Sequence, residues 1–235
     1  MTTTPAACSA ATDLLACCQA AGLGEGLGEG TGAGTVLADP PWQFQNRTGK
    51  VAPEHKRLNR YGTMTLDEIC ALPVQGLAAE TAHLYLWVPN ALLPEGLAVM
   101  QAWGFSYKTN IVWHKIRKDG GPDGRGVGFY FRNTTELVLF GTRGKKARTH
   151  APGRSQVNII KSQKREHSRK PDELYEIIEN CSPGPYLEMF ARGSRPGWIA
   201  WGNQAEAYYP TWTTYANHSQ CGQELEVQQE EQTAP

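Results

Sequence analysis

The chain has 235 residues, which fits one domain with tails and is long enough to bury a sizeable core. Its longest apolar run, Leu84 to Val88, falls far short of the roughly 20 residues that span a bilayer, and no basic residue of a secretory signal precedes Arg47, so a cytoplasmic protein without a membrane segment is expected. Lys plus Arg and Asp plus Glu both number 23, yet every cation lies within residues 35–204 while eight acids (Asp13, Glu25, Glu29, Glu206, Glu224, Glu226, Glu230 and Glu231) lie outside them, which leaves that stretch at +8.

Residues 1–34 are expected to be a tail, Ala-rich around one short helical stretch at Asp13-Leu14-Leu15. Glycine then takes every even position from Gly22 to Gly34. A G-x-G-x-x-G phosphate loop needs an odd offset and a preceding strand; this run has neither and reads as a flexible linker. Val36-Leu37-Ala38 predicts a buried strand and opens a folded domain over 35–204. Thr65 with Glu68 three residues on makes a capping box, so a helix runs to about Leu72. Leu84 to Val88 reads as a buried parallel strand, Ala91 to Trp103 as a helix closed by Gly104, and Tyr107 to Trp113 as a strand. Asp119 to Gly128 is a glycine-rich loop, and Glu136 to Gly141 another strand. Between Arg143 and Lys170 lie ten basic residues and one acid, Glu166, without strong periodicity. That is the pattern of a long surface loop, and its one-sided charge points to a polyanion partner. Pro171 takes the first position of the next helix, with Asp172 and Glu173 in the first turn. Tyr186 to Phe190 and Trp198 to Trp201 are the last strands. From Ala205 on, a Gln- and Glu-rich stretch without pattern is expected to be a disordered tail. The alternation from Val36 to Trp201 predicts an α/β fold: a mostly parallel sheet with helices on both faces.

The chemistry concentrates where the first strand stops, at Asp39-Pro40-Pro41-Trp42. Proline lacks an N–H and fixes its own φ, so this is a stiff exit whose carbonyls no continuing helix consumes. Ligands of open α/β sheets bind beyond the carboxyl ends of the strands. A carboxylate, a fixed carbonyl and an indole at such an end suit a flat ring that donates hydrogen bonds, such as a nucleobase amine. Other signatures are missing. Gly141 to Lys145 has the wrong spacing for a P-loop, and no G-x-S-x-G occurs. The six His show no ligand spacing and the six Cys no C-x-x-C pair, so no metal is expected.

Seven blocks, in order, carry a resemblance: Asp39-Pro40-Pro41-Trp42; Tyr61-Gly62-Thr63-Met64; Leu86-Trp87-Val88; Ile111 to Lys115; His167 to Tyr175; Leu187 to Arg192; and Trp198 to Gln204. Together they resemble the DPPW-motif adenine-N6 methyltransferases, the family of the eukaryotic mRNA adenine methyltransferase catalytic subunit and of bacterial and phage relatives. The likeness covers roughly Val36 to Gln204. It implies a Rossmann-like methyltransferase sheet in permuted motif order, S-adenosylmethionine as cofactor and adenine N6 as acceptor. By resemblance the catalytic residues are Asp39, Pro40, Pro41 and Trp42, with Trp42 stacked on the base. Cofactor contacts fall to Asp39, to Lys170 at the methionine carboxylate, to Phe190, to Arg192 on the ribose side, and to Asn203 and Gln204. Two departures stand out. Gly193-Ser194-Arg195 replaces a longer loop carrying His and Asn ligands, and the acid that contacts the cofactor upstream of the catalytic block has no match in the Gly-rich linker.

The physical chemistry of the motif agrees. Adenine's amino nitrogen is a poor nucleophile because its lone pair is delocalised. Asp39 and the Pro40 carbonyl accept its two hydrogens and draw it toward tetrahedral geometry, and the carboxylate offsets the developing positive charge. A base must leave its stack to reach such a pocket. Substrate contacts are expected from Tyr61, Lys115, Arg117, Lys145, Lys146, Arg148, Lys164 and Arg165. Few rings accompany these cations, only Phe129, Tyr130 and Phe131, which favours DNA over RNA as the partner. A homodimer or heterodimer is left open. So are two other readings: a non-catalytic nucleic-acid-binding partner subunit, and methyl transfer to another amine. The intact Asp39-Pro40-Pro41-Trp42 and Lys170 count against the first of these.

Overall fold

A computed structural model of the chain describes residues 10–24, 32–43, 63–124, 127, 130–163 and 169–202. The strands are β1 (Ala33–Ala38), β2 (Ala78–Val88), β3 (Ser106–Ile116), β4 (Thr135–Arg143), β5 (Ile159–Gln163), β6 (Tyr186–Met189) and β7 (Trp198–Trp201). The helices are α1 (Ala10–Ala20), α2 (Leu66–Cys70), α3 (Val74–Leu77), α4 (Leu93–Ala102) and α5 (Glu173–Cys181). The strands make one sheet in the order β5-β3-β4-β2-β1-β6-β7. Neighbours are parallel except at β4, which runs against both β2 and β3. The expected α/β sheet, mostly parallel and Rossmann-like, is therefore what forms.

The reversal of β4 sets the plan of the molecule. Six carboxyl ends share one edge with the amino end of β4. Glu136, at the start of β4, thus reaches the edge where β1 releases Asp39. Arg143, at its end, is carried to the opposite edge, beside Ala82 of β2.

Alternation along the strands divides the core. Val36, Ala38, Leu84, Leu86 and Val88 pack with Leu14 and Cys18 of α1, Ile69 of α2, Val74 and Leu77 of α3, and Val99 and Met100 of α4. Leu37, Tyr85, Trp87, Ile111 and Trp113 face the other way, against Leu174, Ile177 and Ile178 of α5. Helices thus cover both faces. Among the described residues no helix is long and apolar enough to cross a membrane.

Several boundaries differ from the sequence-based expectation. The short helix expected within residues 1–34 forms as α1, but it is docked on the core: Leu14 and Cys18 are fully buried, and the Trp201 indole N–H donates to Asp13 at 2.8 Å. The capping box at Thr65 and Glu68 is present, yet α2 stops at Cys70, where Pro73 lies close ahead. Pro171 precedes α5, whose N-cap is Asp172. The basic run after Arg143 is not one loop. It contains a 3-10 turn at Pro152–Ser155 and the strand β5, because Ile159 and Ile160 pair with Val112 and Trp113 of β3.

Candidate active site

At the end of β1 the Asp39-Pro40-Pro41-Trp42 turn is pinned on both sides. Asp39 N–H donates to Met189 O at 3.4 Å, Trp42 N–H to Pro40 O at 2.8 Å, and Met64 N–H to Pro41 O at 3.0 Å. Pro40 O retains a second lone pair, since a carbonyl oxygen accepts two hydrogen bonds. Trp42 corrects an expectation. Its ring is 6% exposed and packs in the core, and its indole N–H donates to Trp87 O at 2.9 Å. The indole is a strut under the turn rather than an open stacking wall; a buried indole N–H takes the nearest buried carbonyl.

Four alternating charges line the edge beside this turn. Lys170 Nζ lies 2.9 Å from Asp39 Oδ2 and 3.4 Å from Glu136 Oε2. Lys115 closes on the other oxygen of Glu136. The two ammonium groups also sit over rings, Lys170 at 5.0 Å from the Trp87 centroid and Lys115 at 4.8 Å from that of Trp113. Local structure aims Lys170. Pro171 restricts the residue before it, and Arg169 is drawn back to Asp172 at 2.9 Å. Glu136 is steadied by Asn90, whose amide donates to Thr135 O at 3.1 Å.

These charges are not equally firm. Burial would raise Glu136, but Lys170 and Lys115 hold it below the usual carboxylate range. Burial would lower Lys170, but Asp39 and Glu136 hold it above the usual lysine range. Asp39 ends above the ordinary value for aspartate: burial raises it, and Lys170 pulls back only part of the way. Asp39 therefore holds a proton more readily than an ordinary aspartate.

The exits of β6 and β7 close the same edge. Phe190 takes a φ of 64° and lies edge-on to Trp201 at 5.2 Å. Gly202 is seated so tightly that a Cβ there would fall 2.6 Å from Ala191 N and 2.8 Å from Phe190 C. The turn from Phe190 to Arg192 and the chain leaving β7 are thus pressed together. Arg192 is half-buried and its charge acts on Asp39. Glu188, four residues before Arg192, accepts from Tyr175 Oη at 2.7 Å. Burial pushes its carboxyl up to about 7, against the pull of Tyr175 and Arg195.

The structure places Asp39, Pro40, Lys170, Phe190 and Arg192 along one edge of the sheet, with Lys170 paired to Asp39 and the charge of Arg192 acting on it. It does not bring Lys145, Lys146 and Arg148 to this site. They follow Arg143 at the far end of β4, about 23 Å away at ~3.3 Å per residue. Lys115 is not a free phosphate contact either: its side chain is 12% exposed and committed to Glu136. Arg117 is exposed but doubly bonded to Asp119. Tyr61, Lys164, Arg165, Asn203 and Gln204 lie outside the described residues. Sequence reasoning missed Glu136, Glu188 and Tyr175. An acid inside the apolar run Leu187-Glu188-Met189 was a legible signal; nothing local marked Glu136.

A putative N(6)-adenosine-methyltransferase MT-A70-like protein of Medicago truncatula is 33% identical over 173 residues, covering 72% of this chain and 26% of the relative. The human N(6)-adenosine-methyltransferase catalytic subunit METTL3 is 31% identical over 181 residues, covering 74% and 28%. The type II methyltransferase M.MunI of Mycoplasma sp is 27% identical over 183 residues, covering 71% and 75%. The chain spans about a quarter of the length of the adenosine-methyltransferase relatives it matches. The MT-A70 family profile matches residues 34–204, from the first strand through the last; the chain belongs to the MT-A70 family.

Proposed function

We propose that this protein transfers a methyl group from S-adenosylmethionine to the N6 amino group of adenine in nucleic acid. The observation that carries the reading is the Asp39–Lys170–Glu136 cluster beside the pinned Pro40 carbonyl, at the carboxyl edge of a methyltransferase sheet.

Asp39 and Pro40 O are two acceptors held by the same turn. An amino group between them loses its planar preference and presents its lone pair outward. Positive charge that builds on the nitrogen meets the Asp39 carboxylate across a short, partly desolvated gap. Lys170 keeps that carboxylate ionised, and its raised pKa makes it a better proton acceptor than an ordinary aspartate when the amine sheds a hydrogen. Trp42 acts through the turn, by fixing where both acceptors stand.

The donor set fits the cofactor: an ammonium at Lys170, carboxylates at Asp39 and Glu188, a guanidinium at Arg192 and a ring at Phe190 converge on one edge. Lys170, Phe190 and Arg192 would hold it, with Asn203 and Gln204 following β7. When bound, it supplies an electrophilic sulfonium methyl. DNA is the first acceptor to test, because the cations carry few rings for stacking on single strands. RNA is a second reading, favoured by the 31–33% identity to relatives named as N(6)-adenosine-methyltransferases.

The test is incubation with labelled S-adenosylmethionine and matched DNA and RNA pools, followed by nucleoside mass spectrometry. N6-methyldeoxyadenosine is the expected product. Label in adenosine alone moves the substrate to RNA, and label in any other nucleoside or in none overturns the reading.

A further inference from the structure

The cations that the fold removes from the reactive edge lie in segments without acids. From Ser106 to Ile116 and from Gly141 to Gln163 the chain carries eight Lys and Arg and not one Asp or Glu. Lys108, Lys145, Lys146, Arg148, Arg154 and Lys161 in these segments are exposed. We propose that β3, β5 and the basic turn between Arg143 and Arg154 form a track for the phosphate backbone of a nucleic acid whose adenine is presented at the opposite edge. The proposal rests on the nucleic-acid methyltransferase reading and specifies how its polymer substrate is held.

Three features support a built surface. The turn is fixed rather than loose. Gly144 has a φ of 80°, and a Cβ there would meet Glu80 O at 2.4 Å. Lys146 itself takes a φ of 59°, a left-handed conformation that non-glycine residues seldom adopt. Arg143 donates to Gln75 O at 2.7 Å, Arg148 N–H to Lys146 O at 2.7 Å and His150 N–H to Cys181 O at 2.8 Å. Second, β5 links the turn to the reactive edge. Lys161 pairs with His114 and Ile159 with Val112. These four turn away from the core that holds Ile111, Trp113 and Ile160, and Ile159 is 41% exposed. β5 leads from the basic turn back toward the edge where Lys170 stands. Third, where Glu80 approaches Gly144 of the turn, it does so through its backbone oxygen. A surface so free of acids repels a second copy of itself and attracts a polyanion.

The dimensions set the test. About 23 Å of β4 separate the reactive edge from Arg143, which at ~3.4 Å per nucleotide requires about seven nucleotides. A short probe engages the reactive edge alone, and a long one reaches the turn. The experiment measures binding of the full chain to hairpin duplexes of about 6 and about 24 base pairs, at low and moderate salt. Wild type is compared with Lys145→Glu/Arg148→Glu and with the milder Lys145→Gln/Arg148→Gln. The expected result is a loss of about tenfold on the long duplex for the first variant, a smaller loss in the same direction for the second, a shallower salt dependence, and a change under twofold on the short duplex. Thermal melts matching wild type exclude misfolding. Equal losses on both lengths, or no loss on the long one, overturn the track. So does a wild-type dimer that the substitutions split without changing DNA affinity, since the surface would then be an interface between copies. Because the readout is binding, it decides the track whether or not either probe becomes methylated.

Discussion

At the carboxyl edge of the sheet the charged side chains are packed against one another; at the amino edge they stand apart in solvent. Asp39, Lys170, Glu136 and Lys115 alternate in sign and share hydrogen bonds. Lys145, Lys146 and Arg148 are exposed on a turn. One strand, β4, contributes to both, since Glu136 opens it and Arg143 closes it. Buried, paired charge fixes geometry and tunes proton affinity, whereas exposed like charge attracts a polyanion and is screened by salt. The polar group buried toward the amino edge is uncharged in character: Ser182 Oγ lies 2.7 Å from His83 Nδ1 and 2.8 Å from Tyr85 Oη.

The strongest way to break the paired edge is Lys170→Ala. Asp39 then loses the charge that offsets its burial, and Glu136 loses one of two partners. Methyl transfer is expected to fall on the order of 10²-fold. The acid limb of the pH–rate profile should move to higher pH, because Asp39 takes up its proton earlier. An unshifted limb would separate Lys170 from Asp39. Next in size is Trp42→Phe, which leaves Trp87 O without its buried donor. It should cost about 1–3 kcal/mol, read as a lower melting temperature, together with slower transfer.

The two sides also differ in how acid affects stability. Glu188 has a folded pKa of about 7 against an ordinary 4.5, so its contribution is full below about 4.5 and is lost as pH rises through about 7. Glu188→Gln should therefore raise the melting temperature by about 2–4 °C at pH 8 and change it little at pH 5. Burial lowers His83 below its ordinary value, although the Ala147 carbonyl counters in part. Its contribution is present above the ordinary histidine value and is lost as pH falls, so His83→Phe should flatten the loss of stability between pH 7 and pH 5. The smallest effect is expected from Arg117→Ala. Asp119 already takes both guanidinium hydrogen bonds, so melting temperature should be unchanged and nucleic-acid affinity altered by less than about threefold.

What the sequence disclosed was local. The Asp39-Pro40-Pro41-Trp42 exit follows from proline backbone chemistry, the Thr65–Glu68 box from helix capping, and the buried central strand from the unbroken apolar run Leu84 to Val88. What it hid was non-local. Glu136 joins the site only because β4 runs antiparallel between β2 and β3, which no periodicity within β4 announces. Lys145 and Lys170 belong to one basic run, yet β5 crosses the sheet between them and puts them at different edges. The Trp42 ring was misplaced for a similar reason: its direction is set by a carbonyl of Trp87, 45 residues away.

The claim underlying all of this is that Asp39 acts on the acceptor amine rather than merely shaping the edge. Single-turnover transfer and cofactor affinity, measured on the same preparation of Asp39→Ala, address it most directly. Transfer should fall by about 10³-fold while the cofactor dissociation constant stays within about threefold of wild type. Near-normal transfer with an intact cofactor site would contradict it.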